Sequence, residues 1–311
     1  MKVVITGGCG FIGSNLAHEL VDENEVIVID DLSTGRSENN EDLLNNENYR
    51  FVKGSITNLD LLKQIFDGAD YVFHQAAIPS VPRSIKDPAK TNEVNISGTL
   101  NVLIAAEHNN VKKVVYASSS SVYGDTPVLP KEEGMIPNPL SPYAVSKLTG
   151  EYYCRVWSDI YGLKTASLRY FNVYGPKQDP SSEYAAVVPK FITRVLNDEP
   201  PIIYGDGEQT RDFTFVKDVV SANILAAKSS GTGIFNIGGG QRISINELAE
   251  AILKASGTGT DPGLTYREPR DGDVKHSLAD VRRAESIIGY NPAYTLDDGL
   301  KETIRWFSNG S

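Results

Sequence analysis

The run Gly7-Gly8-Cys9-Gly10-Phe11-Ile12-Gly13 constrains this chain more than any other stretch. It follows a short β-branched strand, Lys2 to Thr6, and opens a helical pattern that continues through Leu20. Glycines at 7, 10 and 13 allow a tight turn and close approach of backbone to a ligand. The helix behind them offers unpaired N–H groups and a positive dipole end to a pyrophosphate. Strand, glycine loop and helix in this order are the setting a dinucleotide site requires.

The next strand agrees. Glu25-Val26-Ile27-Val28-Ile29 ends in Asp30-Asp31, acids about twenty residues beyond the glycines, where they suit adenosine ribose hydroxyls. They would repel a 2′-phosphate, so NAD is favoured over NADP; Arg36 is the nearby residue that could accept that phosphate. Glu38 to Asn48 reads as a polar loop with a short helix, Arg50 to Lys53 as a third strand and Leu59 to Phe66 as a helix. Tyr71 to His74 reads as a fourth strand, ending in Gln75-Ala76-Ala77, small residues where a cofactor could lie close. His74 reads as a structural strand-end residue, with no ligand cluster to suggest a metal. Asp87 to Asn109 is a long helical stretch, and Lys113 to Ala117 a fifth strand, closed by Ser118-Ser119-Ser120-Ser121. Alternating strands and helices predict right-handed crossovers and an α/β, doubly wound parallel sheet of Rossmann type. The glycine loop, Asp30, Gln75 to Ala77 and the serines then share the carboxyl edge of the sheet, where such folds bind ligands.

The chemistry falls on Ser141-Pro142-Tyr143-Ala144-Val145-Ser146-Lys147. Pro142 suits the first turn of a helix, which then runs without a breaker to Gly162. Tyr143 and Lys147, four apart, lie on one helix face. An ammonium beside a phenol lowers the phenol's pKa, which makes Tyr143 a candidate acid/base for a substrate hydroxyl. A second pair at this spacing, Tyr49 and Lys53, lies in a strand-like stretch instead.

Lys164 to Leu168 reads as a further strand, followed by Arg169-Tyr170-Phe171-Asn172, after which the pattern loosens. Val187 to Leu196 and Val219 to Lys228 read as helices, Ile202 to Asp206, Thr210 to Val216 and Ile234 to Ile237 as short strands, and Gly238-Gly239-Gly240 as a turn. Ser244 and Glu247 form a capping box for a helix over Ile245 to Ser256. Ala279 to Ile288 and Leu296 to Phe307 read as closing helices. The division expected is an NAD-binding domain over 1–172, with returning segments around 213–239, and a smaller α/β substrate domain over 173–311.

A net charge of −10 argues against a nucleic-acid surface. Two cysteines without metal spacing, Cys9 inside the glycine turn, fit a reducing compartment. Glycines interrupt the first apolar run, so no secretory pattern is read, and no apolar run is long enough to span a bilayer. The expectation is a cytoplasmic protein that binds neither nucleic acid nor membrane.

With the glycine loop, Ser119, Tyr143 and Lys147 in hand, the chain resembles the extended short-chain dehydrogenases/reductases. More narrowly it resembles the nucleotide-sugar epimerases, and the UDP-N-acetylglucosamine/UDP-glucose 4-epimerase branch best. The resemblance includes Ser-Val-Pro-Arg-Ser at 80–84, Ser-Ser-Ser-Ser-Val-Tyr-Gly at 118–124 and Arg-Tyr-Phe-Asn-Val-Tyr-Gly-Pro at 169–176. Arg-Asp-Phe at 211–213 and Arg-Asp-Gly-Asp-Val-Lys-His-Ser-Leu-Ala-Asp at 270–280 extend it. It implies reversible oxidation at the sugar C4 to a 4-keto sugar that turns in the pocket and is reduced from its other face.

In that family Tyr143 would be the base, Lys147 would hold the nicotinamide ribose and Ser119 would bond the reacting hydroxyl, with Ser118 or Ser120 as alternates. NAD contacts are implied at Gly7, Gly10, Phe11, Ile12, Gly13, Asp30, Asp31, Leu32, Ser33, Thr34, Gly35, Ser55 and Ile56. They continue at Gln75, Ala76, Ala77, Ile78, Pro79, Asn95, Tyr143, Lys147, Tyr170, Phe171 and Val173. UDP-sugar contacts are implied at Ser80, Ser119, Ser120, Tyr143, Asn172, Gln178, Ala186, Val187, Arg211, Arg270, Asp273 and Ser277. Two arginines suit a diphosphate.

Two departures stand out. Ser55 replaces the family's usual adenine-binding aspartate. Ser277 stands where strict UDP-galactose 4-epimerases carry a bulky tyrosine, which leaves room for a 2-acetamido group. Ser120-Ser121 occupy the segment where 4,6-dehydratases place an Asp-Glu pair and decarboxylases a glutamate. UDP-glucuronate 4-epimerase and nucleotide-sugar 4-ketoreductase remain as alternative activities, and an NAD-sensing regulator as the non-enzymatic one. Helices around Asn92–Asn109 and Tyr143–Ile160 carry apolar residues on more than one face; the family pairs these, so a homodimer is expected.

Overall fold

Side-chain alternation in the first strands decides the layering. In β1 (Lys2–Thr6), Val3 and Ile5 enter one buried cluster while Val4 enters another. In β2 (Glu25–Asp30), Val26 and Val28 divide from Ile27 and Ile29 in the same way. Successive side chains of a strand point to opposite faces, so a run apolar on both faces needs helices on both. The computed structural model, which describes residues 1–180, 186–257, 259, 262–269 and 275–309, has that arrangement.

The glycine loop leads into α1 (Phe11–Leu20). After β2 come β3 (Tyr49–Lys53), α2 (Leu59–Ile65), β4 (Tyr71–His74), α3 (Val81–Lys86), α4 (Pro88–Asn92) and α5 (Thr99–His108). Then follow β5 (Lys113–Ser119), α6 (Pro142–Ile160), β6 (Lys164–Tyr170), β7 (Val173–Tyr174), α7 (Val187–Leu196), β8 (Ile202–Tyr204), β9 (Thr210–Arg211) and β10 (Thr214–Phe215). The described chain closes with α8 (Val216–Lys228), β11 (Gly233–Ile237), β12 (Ile243–Ser244), α9 (Ile245–Ser256), β13 (Thr265–Arg267), α10 (Arg282–Ile288) and α11 (Leu296–Ser308).

Seven strands form one sheet in the order β11-β6-β5-β4-β1-β2-β3, and every neighbouring pair is parallel. The strand order reverses at β1, with β2 on one side and β4 on the other, which opens a crevice at the carboxyl edge. Residues of α1, α8 and α10 pack on one face, and residues of α2, α5 and α6 on the other. A separate apolar cluster joins α7, α9 and α11 through Phe191, Leu248, Ile252, Leu300 and Ile304. Short two-stranded pairings, β10 with β7, β12 with β9 and β13 with β8, lie in this part of the chain.

The sequence reading placed the sheet strands and most helices within a few residues. It missed α3, which is capped by the Ser80 hydroxyl accepting from Arg83 N. It also read Asp87 to Asn109 as one uniform helix. The structure instead inserts a π turn, Glu93–Gly98, between α4 and α5. That turn carries Asn95, whose side chain bonds both backbone groups of Ile78, a tertiary contact that local propensity does not encode. No helix among the described residues is long and apolar enough to cross a membrane.

Candidate active site

The glycine loop is built as the motif requires. Gly7 has a φ of 69°, and a Cβ there would lie 2.6 Å from Ala76 Cα. A Cβ on Gly13 would strike the Gly7 carbonyl oxygen, so α1 packs against the loop only because that residue is glycine. Gly10 occupies the N-cap of α1 with no side chain to cap it, which leaves the first-turn N–H groups open to an anion. These features fit a dinucleotide pyrophosphate.

A cavity of about 470 Å³ extends from this loop. Its wall includes Gly7, Gly10, Phe11, Ile12, Gly13, Asp30, Asp31, Ser33, Thr34, Ser55, Ile56, Gln75, Ala76, Ala77, Ile78, Pro79, Ser80, Tyr143, Lys147, Tyr170, Gln178 and Ala186. The Asp30 carboxylate accepts from Cys9 N at 3.0 Å and from Leu32 N at 2.8 Å, and burial pushes its pKa up. Both oxygens keep lone pairs that could accept from a ribose diol. Gln178 donates to the Val173 carbonyl at 3.2 Å, while its buried Oε1 has no partner among the described residues. An acceptor left open in a cavity wall suits a ligand hydroxyl or N–H.

Five residues expected to contact the cofactor lie elsewhere. Asn95 is buried, clamped to Ile78 and Ser146. Phe171 is fully buried, with its ring 6.2 Å from that of Tyr123. Leu32 and Gly35 do not line the cavity: Leu32 N serves Asp30, and a Cβ on Gly35 would come within 2.8 Å of the Asp30 carboxylate. Val173 belongs instead to a second cavity of about 240 Å³, with Asn172, Val187 and Arg211. Ala186 lines both cavities. The Arg211 guanidinium is held by the carbonyls of Thr210 and Lys275 at 3.0 and 3.3 Å. Ser277 is buried beside this strand, its N–H on the Thr210 carbonyl at 3.0 Å. Arg270 and Asp273 lie outside the described residues.

Three backbones in the sparsely populated positive-φ region sit at these walls: Ser80 (87°), Lys177 (70°) and Asn172 (30°). Such strain persists only where the surroundings impose it and clusters at functional sites. The cavity also takes in residues the sequence reading passed over, among them Asn39, Arg83, Lys177, Asp179 and Trp306. Arg83 and Lys177 could have been found, because each lies in or directly after a quoted motif. Trp306 had no signal, since α11 reaches the site only through tertiary packing.

Helix α6 begins where Ser141 accepts from Ala144 N at 3.2 Å, with Pro142 in its first turn. The Ser119 side chain is the polar neighbour that favours the Tyr143 phenolate, which separates Ser119 from Ser118 and Ser120, although Ser118 rather than Ser119 lines the cavity. The Ser118 hydroxyl is committed to Glu151, and Ser120 opens the 3₁₀ turn Ser120–Tyr123. The expected depression of the Tyr143 pKa is not found. Burial pushes it up, and the opposing influence is the Ser119 hydrogen bond rather than the lysine. Burial instead lowers Lys147, to about 8. His74 is buried between Thr6 and Thr99 and is driven down to about 3 by burial and by the Lys147 charge, so it is neutral and structural. No group of three or more potential metal ligands occurs among the described residues.

A glycine-cradled dinucleotide crevice with an adjoining Ser/Tyr/Lys set defines an NAD-linked α/β oxidoreductase-type site. The chain belongs to the NAD dependent epimerase/dehydratase family, whose pattern it matches over residues 3–238. It is 40% identical over 315 residues to the UDP-glucose 4-epimerase of Mycolicibacterium smegmatis, covering 100% of both chains. The solved UDP-N-acetylglucosamine 4-epimerase of Methanobrevibacter ruminantium, in complex with UDP-N-acetylmuramic acid, superposes with a TM-score of 0.96 at 44% identity. That alignment covers 100% of this chain and 99% of that one. The UDP-glucose 4-epimerase of Thermotoga maritima with UDP-glucose gives 0.93 at 39% identity, covering 99% of each.

Proposed function

We propose that this protein is an NAD-dependent UDP-hexose 4-epimerase that interconverts UDP-glucose with UDP-galactose, and UDP-N-acetylglucosamine with UDP-N-acetylgalactosamine, in carbohydrate metabolism. The observation that carries this reading is the placement of Tyr143 and Lys147, four apart on α6, in the wall of the glycine-loop cavity, with Ala186 shared between that cavity and the one holding Arg211. Residues of this length of family match and identity support the same activity.

NAD, held by the glycine loop, Asp30, Lys147 and the Gln75–Pro79 segment, supplies a reversible hydride acceptor and a positive charge when bound. The chain's own residues do the rest. Tyr143 takes the C4 hydroxyl proton and later returns one, and Ser119 orients that hydroxyl. The Lys147 ammonium, fixed on the Ala117 carbonyl at 2.8 Å, and the cofactor's charge both favour the phenolate that burial alone opposes. Arg211 anchors the diphosphate, joined in this proposal by Arg270, while Asp273 accepts from ribose hydroxyls. The sugar thus stays tethered through its diphosphate while the 4-keto ring presents its other face. Residues 1–172 with the returning segments around 213–239 serve the cofactor, and residues 173–311 serve the nucleotide sugar.

Exposed Val145, Tyr152, Val156 and Ile160 recur at helical spacing along α6. We read this stripe as a homodimer face. Two free, buried cysteines accord with a cytoplasmic location. The deciding experiment incubates the purified protein with UDP-glucose and, separately, UDP-N-acetylglucosamine, without added reductant, and identifies the products. Formation of both C4 epimers is the expected result; turnover of neither would overturn this reading in favour of UDP-glucuronate 4-epimerisation, 4-ketoreduction or a nucleotide-sensing role.

A further inference from the structure

Tyr143, Lys147 and Glu151 are spaced by four on α6 and so share one face. Opposite them, three consecutive residues of β5 are each hydrogen-bonded to this helix. The Tyr116 hydroxyl donates to the Lys147 carbonyl at 3.3 Å, and Lys147 Nζ donates to the Ala117 carbonyl at 2.8 Å. The Ser118 hydroxyl donates to Glu151 Oε1 at 2.5 Å, and the Ser119 side chain is the next polar group toward the Tyr143 phenol. Glu151 is gripped a second time by Arg169, which donates from Nε at 2.8 Å and from Nη2 at 2.7 Å.

The register makes this a continuous polar row. Ser118 of β5 pairs with Arg169 of β6, and Arg169 pairs with Asn236 of β11. The Arg169 guanidinium lies 4.6 Å from the Tyr123 ring centre, and the Tyr123 hydroxyl donates to Asn236 at 2.6 Å. Ser118, Glu151, Arg169 and Asn236 are all essentially inaccessible to solvent. Burying an ion pair is expensive, and well-packed apolar side chains of similar size are often as stabilising or more so. The row therefore needs a reason other than stability. Its geometry supplies one, because it locks the register between the helix that carries Tyr143 and the strand that ends in Ser119.

We propose that Glu151 is a positioning residue for the epimerase reaction, acting through Ser118 and Arg169 to hold the Tyr143 phenol against Ser119. It touches neither cofactor nor sugar. Its effect is on the placement of the acid/base, where small displacements carry large rate penalties. This inference rests on the epimerase reading above.

The test uses the full chain. In Ser118→Ala the link to Glu151 is lost without a change in charge. In the paired variant Glu151→Leu/Arg169→Met the ion pair gives way to apolar side chains. Both are expected to fold with a thermal midpoint at or above that of the parent in the paired variant, and close to it in Ser118→Ala. Both are expected to keep the parent's KM and its affinity for NAD, measured by titration, while kcat falls at least about tenfold. Ser118→Thr, which keeps the hydroxyl, should restore kcat, and the kcat–pH profile of Ser118→Ala should shift upward as the phenol loses its place beside the Ser119 side chain that lowers its pKa. A folded Ser118→Ala with kcat within about twofold of the parent overturns the proposal, as does a loss confined to KM or to NAD affinity. If the paired variant fails to fold, Ser118→Ala and its threonine rescue still decide. The parent is assayed alongside: should it epimerise no UDP-hexose, the functional reading fails and takes this inference with it, a result distinct from an active parent with an equally active variant.

Discussion

Lys147 donates to the backbone carbonyl of Ala117 rather than to the phenol of Tyr143; its ammonium lies 5.8 Å from the tyrosine ring centre. In the proposed mechanism Tyr143 carries the proton chemistry, so Tyr143→Phe is expected to lower kcat by about 10²- to 10⁴-fold. The phenylalanine ring preserves the wall, and the bound NAD content of the purified protein should be unchanged. Coupled assays with UDP-glucose and nucleotide analysis after denaturation check both halves.

Lys147 is a buried cation whose pKa burial lowers to about 8. An unfolded lysine keeps its proton to about 10.4, so between these values the unfolded chain binds more protons and stability rises with pH. Below about pH 8 the full cost of the buried charge is present. Lys147→Met removes that charge and keeps much of the volume. It should raise the thermal midpoint at pH 7, flatten this group's contribution to the stability rise between about pH 8 and 10, and cut kcat by roughly 10²-fold. Calorimetry across pH beside steady-state kinetics would show it, and a lower midpoint with unaltered kcat would contradict it.

How far the sequence carried this reading depends on whether a feature was local. The β1 strand, the glycine turn, Asp30 and the Ser141–Lys147 segment announce themselves by residue type and spacing within a few positions. The glycine loop and the alternation of strands and helices therefore placed a doubly wound parallel sheet and its ligand edge, while its seven strands and their order came from the structure. The resemblance implied Asn95 as a cofactor contact, whereas its side chain serves the Ile78 backbone. The Tyr143 pKa was misjudged for a related reason: helical spacing revealed the neighbouring lysine but not the burial that outweighs it. Trp306 and the Glu151–Arg169 pair depend on which elements pack together, and no local pattern states that.

Ser277 sits beside β9, which carries Arg211, with only 9% of its surface exposed. If Ser277 leaves the room proposed for a 2-acetamido group, a tyrosine there fills it. Ser277→Tyr is expected to lower kcat/KM for UDP-N-acetylglucosamine by about 10- to 200-fold while UDP-glucose is largely retained. An unchanged ratio between the two sugars would separate Ser277 from specificity, with the thermal midpoint reporting any overpacking.

Val156 lies within the exposed apolar stripe of α6 and away from Tyr143 along the helix. Val156→Glu keeps good helix propensity but places a charge in the proposed dimer face. Sedimentation velocity should show a dimer for the parent and a shift toward monomer for the variant, with circular dichroism unchanged. A parent that sediments as a monomer would remove the stripe from this role.

Asp212 is fully buried and accepts from Gly239 N at 2.7 Å, Ala279 N at 3.0 Å and Gly240 N at 3.2 Å. It thereby fixes the glycine turn after β11 next to Arg211. Burial pushes its carboxyl up to about 6, against which the three backbone N–H bonds work. The folded state therefore holds a proton that the unfolded chain, with an ordinary value of about 3.9, has already released. Between about pH 4 and 6 the folded state binds more protons, so this group's contribution falls as pH rises, and its cost is fully present above about pH 6. Asp212→Asn abolishes the titration but presents an N–H₂ to backbone donors, leaving at least one of them unpaired. The variant should lose about 1–3 kcal/mol of stability. Its denaturation free energy, followed from pH 4 to 7, should also lack the decline that the parent shows over the acidic half of that range. A variant that retains the parent's slope would assign the titration to another group, and one as stable as the parent would mean that the three N–H groups find other acceptors.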